Sequence, residues 1–173
     1  KEDLRITQLL CSRLCHDLVG PVGAINNGIE LIEDAPDMLD DSLALLGNSA
    51  AQASRRLAFY RVAFGFGGGD GSDALRDVRR LTEDFIADGK VTLDWPDSAG
   101  GSHDSKNAAK LLMNMVLLGV AALPRGGNLS VALNAHDKAL EIALTAQGQG
   151  AGLKDDIRSA MAPDFSVSDL TAH

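Results

Sequence analysis

The chain has 173 residues, 45% of them hydrophobic and 23% charged, with a formal net charge of -8. That length and balance suit one large domain or two small ones, each with its own core. No run approaches the roughly 18 consecutive apolar residues of a spanning helix, which argues against a membrane, and net acidity argues against nucleic acid, whose binding draws on clustered Lys and Arg. Protein and small-molecule partners remain. The two cysteines, Cys11 and Cys15, lie four apart on a predicted helix with no secretory segment before them, so a cytoplasmic location is expected. The chain starts at Lys1 without Met and stops at His173 just after Ser168-Asp169, a pair suited to opening a helix. Both ends are therefore expected to be clipped, with C-terminal structure missing.

From Leu4, steps of four and three pass through Gln8, Cys11, Cys15, Leu18, Val22, Ile25, Ile29 and Ile32, a coiled-coil type of stripe in which only Gln8 is polar. Asp34-Ala35-Pro36 ends it, Asp37 can cap the next helix, and Asp40 and Asp41 favour the positive end of that helix dipole. The second stripe is Leu39, Leu43, Leu46, Ala50, Ala53, Leu57, Tyr60 and Phe64, with Arg55, Arg56 and Arg61 between. Two long helices joined by a few residues predict an antiparallel hairpin. One stripe per helix leaves the apolar seam half covered, so pairing of two copies into a four-helix bundle is expected, and a homodimer with it. The alternative is that the C-terminal half covers the seam within one chain.

Gly65 to Gly71 holds five glycines in seven residues and reads as a hinge, dividing a domain at 1–66 from one at 70–173. Beyond it the pattern predicts a helix from about Asp73 to Ala87, a strand at Val91–Trp95 and a helix from about Ser105 to Leu123. Strands near Leu129–Asn134 and Ala139–Thr145 follow, then a glycine-rich loop at Gly148–Gly152 and a short helix near Lys154–Met161. Such a mixture predicts an α+β chain: the hairpin, then an α/β sandwich with helices on one face of a mixed sheet.

His16 follows the stripe residue Cys15 and so faces outward from the bundle. An imidazole in water is mostly uncharged at neutral pH, and one ring nitrogen keeps a free lone pair, a usable nucleophile. One turn later stand Gly20 and Pro21. Pro21 cannot donate to the carbonyl of Asp17, at a cost of about 3 kcal/mol in a helix interior, and Gly20 adds about 1 kcal/mol. Such faults collect at functional places. The residues allow two readings, a continuous helix disturbed at Pro21 or a helix that ends near Val19 and restarts with Pro21 as its first residue. Asp17 can fix the imidazole tautomer, although side chains at i and i+1 point about 100° apart. Arg13 on the same face, and Arg55 or Arg56 from the second helix, can neutralise a phosphoryl group or serve as solvated charges. A metal site from Cys11, Cys15 and His16 is the weaker alternative, since the thiols fit a buried stripe and His16 points away, so no metal is assigned.

His16-Asp-Leu-Val-Gly-Pro21 resembles the H-box of histidine kinases, in which a phosphorylatable His is followed by an acid and then by Pro. The longer string Cys15 to Glu30, with Lys90-Val-Thr-Leu-Asp-Trp-Pro96 and Leu123-Pro-Arg-Gly-Gly127, is similar to the alphaproteobacterial histidine phosphotransferases over most of the chain. The resemblance implies a dimeric four-helix bundle and a C-terminal domain like the kinase ATP-binding module. It also implies a two-component relay in which phosphoryl arrives from the receiver domain of a hybrid kinase and leaves to response regulators such as CtrA and CpdR, which control the cell cycle. The receiver brings the phosphorylated Asp, its Mg²⁺ and a Lys, and no cofactor is expected in this chain. Docking is expected beside and C-terminal to His16, at Arg13, Val19, Gly20, Gly23, Asn26, Asn27 and Arg56.

Departures from the kinase pattern bear on ATP. With Pro124 as anchor, Asn114 takes the first Asn of the N-box, while the metal-binding Asn becomes Leu118, which cannot ligate Mg²⁺. Ala146-Gln-Gly-Gln-Gly150 keeps the glycines of the adenine-binding loop, with Ala146 where the carboxylate belongs. Gly20 replaces the polar residue that in many kinases positions a water for phosphatase action. Relay through His16 without ATP is the reading; a true ATP-dependent kinase and a non-catalytic receiver-docking dimer are the alternatives.

Overall fold

The computed structural model describes residues 2–65, 74–96, 105–136 and 139–162. The expected hinge falls almost wholly on 66–73, outside these residues. Two compact units are distinguished, one made of the chain up to Leu57 together with the segment from Ser159, and a second from Ala58 to Arg158.

In the first unit α1 spans Glu2–Asp34, a 3-10 turn spans Pro36–Met38, and α2 starts at Leu39 and continues to Ala63, its last residues counted with the second unit. α1 runs unbroken through Pro21, so the continuous reading holds. Ala35 to Met38 turn on themselves, with Met38 N–H donating to Ala35 C=O, and no side chain caps this turn, so Asp37 lies inside the turn instead of capping the helix. The buried positions of the hairpin are Pro21 and Gly28 on α1 and Ser42 and Ser49 on α2, each pair one heptad apart. A Cβ added at Gly28 would stand 3.0 Å from Leu46 Cγ and 3.5 Å from the Ser42 carbonyl, so this glycine lets α1 receive Leu46 of the α2 stripe. Other members of the stripes are not covered. Leu4, Val22, Ile29, Leu39, Leu43 and Leu57 are all exposed in the single chain. Cys11 and Cys15, expected as core thiols, are exposed with them.

The stripe of α2 changes partners at its end. Tyr60 and Phe64, expected on the bundle seam, belong to an aromatic cluster of the second unit with Phe59 and Phe85, where Phe59 stacks on Phe85 at 4.3 Å and Tyr60 on Phe64 at 5.5 Å. Phe85 comes from α3 (Ala74–Ile86), which buries Val78, Thr82 and Ile86 at four-residue spacing. The Thr82 hydroxyl meets its need by donating to the Val78 carbonyl at 2.8 Å.

The sheet has three strands in the order β1 (Val91–Asp94), β2 (Gly127–His136) and β3 (Ala139–Gln147), β1 parallel and β3 antiparallel to β2. β2 runs on to His136, past the expected end near Asn134. Alternation gives the sheet one apolar face, with Leu129 and Val131 buried, and one polar face, where Thr92 donates to Asn128 and Asn134 to Glu141. Between β1 and β2 comes α4 (Ser105–Ala121), which buries Ala109, Leu112, Met113 and Val116. It approaches the sheet most closely at Gly119, where a Cβ would lie 2.5 Å from Leu129 Cδ1 and 2.7 Å from Leu144 Cδ2. The helical crossover between parallel β1 and β2 and the one-sided helix cover give the expected sandwich. A short α5 spans Asp155–Ala160.

β2 starts two residues before the predicted Leu129 because Gly126 and Gly127 adopt φ of 85° and 145° and let three segments converge. A Cβ on Gly127 would fall 2.2 Å from the Gln147 carbonyl oxygen, a backbone atom with no freedom to yield. Gly127→Ala is therefore expected to lower unfolding free energy by about 2 kcal/mol or more, read as a reduced urea midpoint at unchanged slope.

Candidate functional site

The first unit sets His16 on the outer face of α1 with its side chain 84% exposed. Its Nδ1 lies 3.0 Å from Asp17 Oδ1, so the contact between neighbours that the helix geometry disfavours is made, within an unbroken helix and through the side-chain rotamers. Asp17 itself is only 14% exposed and is held from both ends. Arg13 Nε donates to its Oδ2 at 2.8 Å, one turn back along α1, and Arg56 Nη1 donates to its backbone carbonyl from α2. Arg13 thus acts on the carboxylate that faces His16, a role the sequence did not distinguish from that of a solvated charge.

An ionised carboxylate only accepts, so the His16 nitrogen facing it must carry the proton. In the neutral ring the lone pair then resides on Nε2, which points away from Asp17 toward solvent. The arrangement can offer a nucleophilic nitrogen outward and stabilise positive charge on the ring when that nitrogen forms a bond.

The remaining expected positions follow His16 along the helix. Val19, Gly20 and Gly23 stand three, four and seven residues on, and Asn26 and Asn27 ten and eleven, which places them on one face. Val19 is 72% exposed, and Asn26 and Asn27 are exposed. A Cβ at Gly20 or Gly23 would meet nothing within 4 Å, so neither glycine answers to packing inside the chain. Arg56 differs from this group, being half-buried and turned to α1. The signal for that was present: Arg56 continues the heptad line of Ser42 and Ser49, and the Asp17 carbonyl is the one that Pro21 leaves without a backbone donor. Among the described residues, no group of three or more His, Cys, Asp or Glu is placed to hold a metal ion.

In the second unit, the residue at the first N-box position serves the backbone: Asn114 Nδ2 donates to the Lys110 carbonyl at 2.8 Å and to that of Ala63 at 3.4 Å. Leu118 is half-buried on α4, and Ala146 pairs with Leu129 in the sheet. Gly148 packs against the Gly126 carbonyl and Gly127, so this glycine serves the close approach of the two segments.

The sequence pattern of the histidine phosphotransferase C-terminal domain matches residues 75–173. Protein phosphotransferase ChpT of Brucella abortus (strain 2308) is 40% identical over 147 residues, which is 84% of this chain and 69% of that protein. The chain belongs to the histidine phosphotransferase family. A solved structure of a bacterial phosphotransferase, determined at 1.7 Å, shares the fold with a TM-score of 0.75 and 35% identity over 94% of this chain and 78% of that one. The resemblance read from the H-box string is thereby borne out, and the activity that goes with this family is phosphotransfer. No described helix of this histidine phosphotransferase is long and apolar enough to cross a membrane.

The site geometry makes a spectroscopic prediction. At a pH where the ring is neutral, long-range proton–nitrogen NMR of His16 should report the Nδ1–H tautomer, and Asp17→Ala should return the ring to the Nε2–H form that free imidazole side chains favour.

Proposed function

We propose that this phosphotransferase relays phosphoryl groups between response-regulator receiver domains through His16, without ATP. The observation that carries this reading is the exposed imidazole whose Nδ1 is tied to Asp17, beside an open face containing two glycines. A helix-interior glycine costs about 1 kcal/mol relative to Ala, and Gly20 and Gly23 have no neighbour that demands them. A surface kept low beside the nucleophile suits the close approach of another domain.

In the forward step the Nε2 lone pair attacks the phosphorus of a receiver aspartyl phosphate. The bond from phosphorus to the receiver carboxylate oxygen breaks, and its electron pair stays on that carboxylate. No proton has to move, because Nδ1 already carries one. The ring becomes cationic and Asp17 lies 3.0 Å away to balance it. The return step to a second receiver reverses these changes. The transition state is loose, so positioning and charge suffice, and the receiver contributes Mg²⁺ and a Lys. Leu118 and Ala146 stand where a kinase would hold metal and adenine, which supports a scaffold free of ATP chemistry. CtrA- and CpdR-like regulators are the receivers the family resemblance suggests, in the cytoplasm.

The working unit in this reading is a homodimer. Leu43 and Leu57 on α2 and Val22 and Ile29 on α1 remain exposed along heptad stripes, more apolar surface than a lone hairpin can leave in water without cost. The domain division proposed is 1–66 for dimerisation and transfer and 70–173 for the degenerate kinase-like module.

Incubation with a phosphorylated receiver should yield acid-labile phosphate on the chain, abolished by His16→Ala. Labelled ATP alone should yield none, and label on His16 from ATP would instead favour a kinase. Relay that survives His16→Ala would favour a docking module. Gly20→Leu, whose side chain has open space, should leave the fold intact while weakening receiver-dependent phosphorylation at least tenfold through the added bulk at a docking face. Sedimentation should report a dimer for the native chain and a monomer for Leu43→Asp.

A further inference from the structure

The α1 backbone has one bond missing by chemistry. Residue 21 is proline, so the Asp17 carbonyl has no N–H from the next turn. Buried or half-buried carbonyls are rarely left unmet. Here the donor comes from the other helix: Arg56 Nη1 donates to that carbonyl across 39 residues of sequence. Arg56 sits one heptad beyond Ser49 and two beyond Ser42, the positions of α2 buried within the first unit, so its side chain leaves from the face that meets α1. We infer that Arg56 is a positioning residue for His16, acting by taking the place of the backbone donor that Pro21 removes.

The chain of contacts is short. Arg56 holds the Asp17 main chain, Arg13 holds Asp17 Oδ2, and Oδ1 is left for His16 Nδ1. With its carbonyl released from Arg56, the turn from Asp17 to Pro21 loses the α2 donor that stands in for the missing N–H of residue 21. Asp17 then no longer has a fixed backbone from which to hold the imidazole, and Nε2 loses its outward aim. A guanidinium suits the task because its charge makes the hydrogen bond to a carbonyl stronger than a neutral donor could, and because its planar fork keeps the approach direction fixed. The inference rests on the relay reading for its kinetic consequence, but its structural part concerns only the ring.

The test is a double-mutant cycle between Arg56→Ala and Pro21→Ala. Pro21→Ala restores the N–H at position 21 and gives the Asp17 carbonyl its ordinary helical partner. Arg56→Ala alone should erase the Nδ1–H preference of His16 in NMR and slow phosphoryl uptake about tenfold, the scale of one charge-assisted hydrogen bond. Adding Pro21→Ala should restore the tautomer and most of the rate. If Arg56→Ala unfolds the chain, the same logic requires Pro21→Ala to recover folding. An equal loss in both backgrounds, an unchanged tautomer with slower transfer, or unfolding that Pro21→Ala does not mend would each overturn the inference, the second by making Arg56 a receiver contact. The relay reading and this one fail separately: lack of phosphate on His16 in the unaltered chain sinks the relay, while the ring tautomer decides on Arg56 in either case.

Discussion

The N-terminal unit is organised by a backbone hydrogen bond that cannot form. Pro21 stands inside a helix of 33 residues and denies a donor to the carbonyl of Asp17, one residue from His16. In an isolated helix water would answer that carbonyl. Here α2 answers it through Arg56, which makes the fault a point of attachment between the two helices. The rest of the hairpin agrees with this contact. Gly28 leaves room for Leu46 and the Ser42 carbonyl of α2, while Val22, Ile29, Leu43 and Leu57 of the stripes stay exposed in the single chain.

Around that attachment the polar groups form an ordered sequence. Arg13 and Arg56 both act on Asp17, and Asp17 acts on His16. Each contact reduces the freedom of the next, so an exposed side chain at the end of the series is still oriented. An exposed imidazole is accessible to a partner domain, whereas a buried one would need the partner to open the bundle first. Accessibility and orientation usually conflict, and fixing the base of the side chain through its neighbour reconciles them.

In the second unit polar and glycine residues serve the fold. Asn114 ties α4 to the end of α2, and Gly148 fits against Gly126 and Gly127. Most of the fold was legible in the chain. The stripes of α1 and α2, the break at Asp34–Pro36, the strand Val91–Asp94 and the crossover helix from Ser105 all follow from period and punctuation, which are local properties. The outward placement of His16 and the single-faced sheet followed in the same way. Less legible was the fate of Tyr60 and Phe64, which continue the α2 stripe in sequence yet join Phe59 and Phe85 in the second core. Periodicity says that a face is apolar and is silent on which surface covers it.

By itself the sequence determined that two long helices precede a small sandwich, that a histidine faces water, and that the Asp17 carbonyl receives no N–H from residue 21. These are consequences of side-chain spacing and of the covalent structure of proline. Only the tertiary structure decided that α1 stays continuous through Pro21, that Arg56 meets the Asp17 carbonyl, and that Gly28 of α1 receives Leu46 and the Ser42 carbonyl of α2. The reason is that each of these depends on the rotation of one helix against another. That rotation is set by packing between residues far apart in the chain, and no local pattern encodes it.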